Sequence, residues 1–419
     1  LRHIDPDLPI SKTHSTPAKI HDFTEKLRQP ALRGVVLDYV QWRRACADAE
    51  KAKTPKPEFP SLGPVSINLD LTTTCNFACG HCIDWDALNT TARHQHEDLL
   101  ASLKSMHARG LKSVILLGGG EPTLYPKFAD VVRFLKSLGL QVAVVTNGSR
   151  NEVIEEVAHL FTSGDWVRLS LDSGLEETFQ AMHRPKSPST TLEAICTSAK
   201  KLKSKNLNIS LGFSFVITWK GASRGDEKII ENIAEMELAT QWARDYDFDY
   251  ISFKPFLTRA SEGAEVMDPN AAQDKHEKVL KKIQDGLQKS KEVAQGSVAV
   301  IESTNLRVLL DGTWQQYLNQ PKVCHMQALR QVVSPLGVFN CPAHRGVDKA
   351  RIGSADAWKT ELGAVGTAAM LESFDASKEC KEVTCLYNPV NHWLDSLIQG
   401  EGNPADQFPE GNPLADTFL

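Results

Sequence analysis

Nine cysteines are distributed unevenly along a chain of 419 residues, and seven of them fall into two groups. Cys75, Cys79 and Cys82 stand in a C-x3-C-x2-C run, Leu71-Thr-Thr-Thr-Cys75-Asn-Phe-Ala-Cys79-Gly-His-Cys82. Thiolates hold iron–sulfur clusters, and three close ones can ligate three irons of a four-iron cubane. The fourth iron then stays open to a non-protein ligand, as a catalytic metal site requires. Structural zinc is the alternative; it takes four protein ligands, and His81, inside the run, is the nearby candidate for a fourth. Cys324, Cys341, Cys380 and Cys385 form the second group, the complete donor set of one cubane or one zinc. Cys46 and Cys196 lie in amphipathic helical patterns, where a small buried hydrophobe is expected. A hydrogen-donor thiol is the other reading for Cys196.

These groups need elements to hold them. From residue 65 the pattern alternates strand and helix. Candidate strands are Val65–Leu71, Ser113–Leu117, Val142–Thr146, Trp166–Leu171, Ile209–Val216 and Tyr250–Phe253. Helical spacing fills the gaps at Glu97–Arg109, Lys127–Leu138, Asn151–Phe161, Thr190–Lys205 and Asp226–Tyr246. Six β–α units in series predict an α/β fold with a parallel sheet and outer helices. The number six suits a partial (β/α)6 TIM-like barrel better than a closed eightfold one. The first cysteine group then sits at the C-terminal end of strand one, where such sheets place their active sites. Residues 1–64 read as a helical N-terminal extension, with helical spacing at His21–Leu27 and Val36–Lys51 and a proline-rich linker over 54–64. Residues 257–320 read as a helical connector with a charged amphipathic helix over Gln273–Lys291, 321–399 as a small C-terminal domain around the second cysteine group, and 400–419 as a flexible or surface-wrapped tail.

Composition narrows the function classes. Apolar residues make up 41% and charged residues 24%, ordinary for a globular chain. A net charge of −5 offers no bulk basic field for nucleic acid. No apolar run reaches the roughly 18 residues of a membrane helix, and the first residues, Leu1-Arg-His-Ile-Asp-Pro, lack the apolar core of a secretory signal. The expected compartment is the reducing cytoplasm, where clustered thiols hold metal more often than they pair.

The C-x3-C-x2-C run after the first strand resembles the signature of the radical S-adenosylmethionine (SAM) superfamily. His81 stands where that family usually has another aromatic ring. Strand two ends in Leu117-Gly118-Gly119-Gly120-Glu121-Pro122, which resembles the family's motif for the SAM amino group. A glycine run lets backbone approach a ligand closely, so Gly118, Gly119, Glu121 and Pro122 are carried over as cofactor-binding residues. Strand four, through Ser170-Leu-Asp-Ser173, and the later His183-Arg184-Pro185 resemble the region where a serine and an arginine bind the SAM carboxylate and ribose. An arginine fork suits a carboxylate. The resemblance assigns these roles to Ser170 and Arg184, and ribose contact to Asn147; a surface residue at a helix end is the other reading for Arg184, and a turn residue the other for Asn147. Ser214, Val216 and Lys254 would line the adenine side, with barrel filler the plainer reading for Val216. The resemblance covers roughly residues 65–256.

Beyond strand six, Cys324, Gly337 and Cys341 follow the layout of the Twitch extension, a shortened SPASM domain. Four cysteines suffice for one auxiliary cluster. The resemblance implies a [4Fe–4S] cluster that binds SAM, a second, auxiliary [4Fe–4S] cluster, and reductive SAM cleavage to a 5′-deoxyadenosyl radical that abstracts hydrogen from a substrate. No G-x-G-x-x-G fingerprint for flavin or nicotinamide is present, so an external flavodoxin- or ferredoxin-type donor is implied. A small-molecule substrate is the first expectation, dehydrogenated or epimerised. A peptide maturase is the second, and an iron–sulfur or zinc protein without radical chemistry the third. Asp84, Trp85 and His344 flank the cysteine groups and complete the candidates.

Overall fold

The computed structural model describes residues 22–259, 265–266, 276–411 and 418. Strands β1 (Ser66–Asp70), β2 (Ser113–Leu117), β3 (Gln141–Thr146), β4 (Trp166–Ser170) and β5 (Ser210–Ile217) follow the predicted positions within one or two residues. Two short hairpin strands come next, β6 (Ser223–Arg224) and β7 (Glu227–Lys228), and then β8 (Tyr250–Pro255). The chain continues through the paired β9 (Thr258–Arg259) and β10 (Glu265–Val266), then β11 (Ala299–Glu302), β12 (Arg330–Ser334), β13 (Gly337–Phe339) and β14 (Arg351–Gly353).

Ten of these strands form one sheet in the order β11-β8-β5-β4-β3-β2-β1-β12-β13-β14. From β11 to β12 every neighbouring pair is parallel. The barrel is therefore extended at both edges by strands that follow residue 256. The extension beside β1 matters most. An edge strand leaves a row of unpaired N–H and C=O groups, and β12 covers that row with Ser66 opposite Arg330 and Leu69 opposite Val333. The region carrying the second cysteine group is thus hydrogen-bonded to the strand that launches the first.

Burial explains the register. β1 is buried along its whole length, and Ile67 and Leu69 are fully inaccessible, as a parallel strand covered on both faces should be. Outer helices such as Phe128–Ser137 bring Phe128, Val131, Val132 and Leu135 onto the sheet at helical spacing.

Two helices differ from expectation. The one expected over 226–246 runs only from Met236 to Asp245, because Gly225, at φ +55°, turns the chain into the β6–β7 hairpin. The helix expected over 151–161 ends at Glu155 and resumes as a 3-10 turn, Ala158–Leu160. The N-terminal helix spans Pro30–Ala52, with proline at its first turn where no N–H is missed. Its apolar side packs against the helix Asn388–Gln399: Leu32, Val36 and Val40 share a core with Val390 and Leu394. The tail wraps this unit. Arg33 donates to the carbonyls of Ala405 and Phe408, and Phe408 is buried. Among the described residues, no helix is long and apolar enough to cross a membrane.

Candidate functional site

The C-terminal ends of β1 to β5 and β8 surround a cavity of about 490 Å³. Cys75, Cys79 and Cys82 line one side of it, on the loop that leaves β1. Backbone bonds fix that loop from outside: Ala78 N–H donates to His183 O (3.1 Å), Gly80 N–H to Met182 O (2.9 Å), and Lys186 N–H to Asn76 O (3.1 Å). On the inner side Glu121 N–H donates to Thr74 O at 2.8 Å.

The glycines of strand two serve this loop. A Cβ on Gly120 would lie 2.5 Å from Thr74 O and 2.6 Å from Thr72 O, both backbone atoms. One on Gly119 would come 3.2 Å from Asp70 Oδ2. The close approach expected toward a ligand is, at these two positions, an approach to the chain's own β1 end and cysteine loop. Gly120→Ala should therefore displace the loop and lower iron retained after anaerobic reconstitution by at least about half, because backbone cannot yield as a side chain can; iron analysis against Gly34→Ala, a helical site with open space around its Cβ, checks this.

Gly118, Glu121, Asn147 and Ser170 all line the cavity. Glu121 is nonetheless engaged by its own chain. Its Oε1 accepts from Thr123 N–H (3.1 Å), Thr123 Oγ1 (2.6 Å) and Thr146 Oγ1 (2.6 Å), and its Oε2 from Asn147 N–H (2.8 Å). It ties the end of β2 to the end of β3, which places Asn147. Asn147 Nδ2 donates in turn to Asn76 Oδ1, beside Cys75. Pro122 is buried at the start of a 3-10 turn, outside the cavity wall.

Arg184 corrects the sequence reading. It caps the helix Glu176–His183 in the left-handed region and is half-exposed. Its guanidinium pairs with Glu227 of β7, behind Gly80 of the cysteine loop, and does not face the cavity. Among the described residues, the cations that line it are Arg345 and Lys254, whose Nζ lies 3.3 Å from Ser214 Oγ. Burial, followed by the nearby Arg168 charge, pushes the Lys254 ammonium well below its ordinary range.

Two groups absent from the cofactor-binding assignments stand beside Cys79. His183 Nδ1 is 3.3 Å from Cys79 Sγ, and its Nε2 is 3.0 Å from Leu171 O. Asp172 accepts from His81 Nε2 (2.9 Å) and from Val216 N–H (2.7 Å). Burial pushes the Asp172 carboxyl up, but the His81 hydrogen bond and the two histidine charges outweigh it and hold the pKa below the usual range. His81, the odd ring of the motif, is thus oriented by Asp172. The sequence signal was Leu171-Asp-Ser173 at the strand end; the pairing across 91 residues could not be seen.

Cys324, Cys341, Cys380 and Cys385 also come together. They line a small cavity of about 20 Å³ with His344 and Phe374. Pro342 and Leu386, each next to one of these cysteines in sequence, line the large cavity, so the second cysteine group lies beside it.

Both donor sets suit iron–sulfur clusters. Burial, with the neighbouring thiols adding to it, raises the Cys79 and Cys385 thiols far above their ordinary range and the Cys82 thiol to about 12. Such thiols become thiolates only beside a positive group, which a metal supplies. Among the described residues, His81, Asp172 and His183 form a His/Asp trio whose donor atoms lie within 4.8 Å of one another.

Residues 69–233 match the sequence model of the Radical SAM superfamily. This segment is a radical SAM domain. Curated relatives include the S-adenosylmethionine-dependent nucleotide dehydratase of Thermoplasmatales archaeon (strain ISO4-H5), 33% identical over 109 residues, which are 26% of this chain and 38% of that protein. The mycofactocin maturase MftC of Mycobacterium tuberculosis (strain ATCC 25618 / H37Rv) is 32% identical over 127 residues, 28% of this chain and 30% of MftC. The chain thus spans well under half the length of these relatives. Beyond the radical SAM domain the likeness is one of fold. Streptococcus suis SuiB bound to S-adenosylmethionine superimposes with a TM-score of 0.52 at 14% identity, over 88% of this chain and 78% of that one. AdoMet-bound anSMEcpe gives 0.51 at 17%, over 76% and 82%. The cofactors of a radical SAM domain are a [4Fe–4S] cluster and SAM.

Proposed function

We propose that this protein cleaves SAM reductively and abstracts a hydrogen atom from a small-molecule substrate, with net dehydrogenation. One observation carries the reading: three cysteines open onto the same cavity as the ends of six parallel strands. When bound, the cluster and SAM supply an electron and a 5′-deoxyadenosyl radical. Cys75, Cys79 and Cys82 would hold the cluster. Gly118, Asn147 and Ser170 would contact SAM from the strand ends, with Glu121 fixing the β2 and β3 ends that present them. Asp172 holds His81 against the cluster loop. Val216 and Phe256 give the cavity part of its apolar wall.

Dehydrogenation is preferred to epimerisation on the placement of thiols. A radical quenched by a cysteine needs that thiol in the cavity. Cys196 is fully buried in the core behind the sheet, and Cys46 is on the N-terminal helix. The second group lies beside the cavity, and as an auxiliary [4Fe–4S] site it would take the electron that a dehydrogenation releases. A flavodoxin- or ferredoxin-type donor would reduce the first cluster.

The likeness to the nucleotide dehydratase supports a small-molecule substrate, and the likeness to MftC supports the second reading, a peptide maturase. Residues 22–52 weigh against a free precursor-binding module, since their apolar face is already spent on the C-terminal unit. The test is anaerobic reconstitution, reduction with dithionite and incubation with SAM. Formation of 5′-deoxyadenosine supports the reading; intact SAM with a fully loaded first cluster overturns it.

A further inference from the structure

His344 is fully buried on the 3-10 turn Pro342–His344 that follows Cys341. It lines the small cavity shared by Cys324, Cys341, Cys380 and Cys385. Its ring packs edge-on against Phe374, with centroids 5.5 Å apart. Neither ring nitrogen makes a hydrogen bond of normal geometry. The backbone of Glu379 lies on one side and can serve one nitrogen at most. A buried donor left without a partner costs about 1–3 kcal/mol, and buried polar groups of native proteins are almost always satisfied. An imidazole carries at least one ring N–H in either charge state, so His344 brings a donor into the pocket. Around it stand four sulfur atoms.

We propose that His344 is part of the auxiliary site and donates its ring N–H to a sulfur of the cluster bound by Cys324, Cys341, Cys380 and Cys385. This rests on the reading of the second group as a cluster site. The bond would make His344 a positioning and tuning residue. Hydrogen bonds to cluster sulfurs stabilise the reduced, more negative form and raise the potential. A higher potential makes the site a better acceptor for the electron released by the substrate. Arg345, the next residue, faces the large cavity, so this one turn addresses both sites.

The test uses full-length protein carrying Cys75, Cys79 and Cys82→Ala, so that the second site alone is read. That parent, His344→Leu and His344→Gln are reconstituted anaerobically, assayed for iron, and titrated potentiometrically with EPR detection. The expected result is about 4 irons in each. At the parent's midpoint, His344→Leu should hold a roughly tenfold lower ratio of reduced to oxidised cluster, equivalent to about 59 mV for one electron. His344→Gln, which restores an N–H donor, should recover most of the shift. Loss of iron in His344→Leu but not in His344→Gln supports the same assignment. Equal potentials and EPR spectra in all three overturn it, as does loss of iron from both variants with the fold intact by circular dichroism, which assigns His344 to packing. A parent that binds no iron overturns the cluster reading itself, and this inference with it.

Discussion

Replacing Cys75, Cys79 and Cys82 together by alanine is expected to lower iron from about 8 to about 4 atoms per chain and to bring 5′-deoxyadenosine formation down to the background of uncatalysed reduction. The two halves of that result have separate causes. The first group supplies the thiolates that open onto the large cavity, so its loss removes the electron source for SAM. The second group lies on other elements: the turn before β12, the end of β13 and the segment before the helix Asn388–Gln399. It should keep its own iron. The fold should survive as well, because the loop is held by backbone bonds to Met182, His183 and Thr74 that alanine leaves intact. Far-UV circular dichroism of the variant checks this. A fall from about 4 irons to none would mean that the second group holds no cluster, and the preference for dehydrogenation would go with it.

Much of this arrangement was legible before any coordinates, and the reasons are local. The strands β2 and β3 are near-continuous apolar runs, and β1, β4, β5 and β8 interleave apolar with polar or small residues, so their positions followed from periodicity. The cysteine loop and the Gly118–Gly120 turn were visible because each is a contiguous motif on one strand end. What could not be seen is pairing across long sequence distance. Nothing in Arg330–Ser334 announces that it covers the free edge of β1, and nothing near Arg184 shows that Glu227 will claim its guanidinium on the outside of the loop. Glu121 is instructive in another way. Its type and place were read as a partner for a ligand's ammonium, whereas four hydrogen bonds from Thr123, Thr146 and Asn147 make it a clasp between strand ends. A motif marks a position that matters; which atoms it satisfies depends on neighbours that only the fold supplies.

Arg345 should give the largest stability effect of any single substitution at the site. It is buried, with Nη1 2.8 Å from Asp84 Oδ2 and Nε 3.2 Å from Asp70 Oδ2. Asp70 is the last residue of β1 and Asp84 lies two residues past Cys82, so one guanidinium from the C-terminal unit grips both ends of the first cysteine loop. Removing one partner of a buried ion pair typically costs about 3–5 kcal/mol, since it leaves uncompensated charge in a dry site. Arg345→Leu is expected to lose that much in urea unfolding at pH 8 and to lose iron from the first site as the loop loosens. The pH dependence has a definite sign. Burial pushes the Asp70 carboxyl well up and the Arg345 charge opposes the shift. Without Arg345 the folded-state pKa climbs further above the unfolded value. A carboxyl with a raised folded pKa penalises folding at pH above both values, and the penalty disappears below the unfolded pKa. The deficit of Arg345→Leu should therefore shrink as pH falls from 8 toward 5. Adding Asp70→Asn, which removes the stranded charge, should recover part of the stability at pH 8 and flatten the difference between the two pH values. A deficit that stays constant with pH and ignores Asp70→Asn would reduce Arg345 to packing, with no electrostatic hold on the cysteine loop.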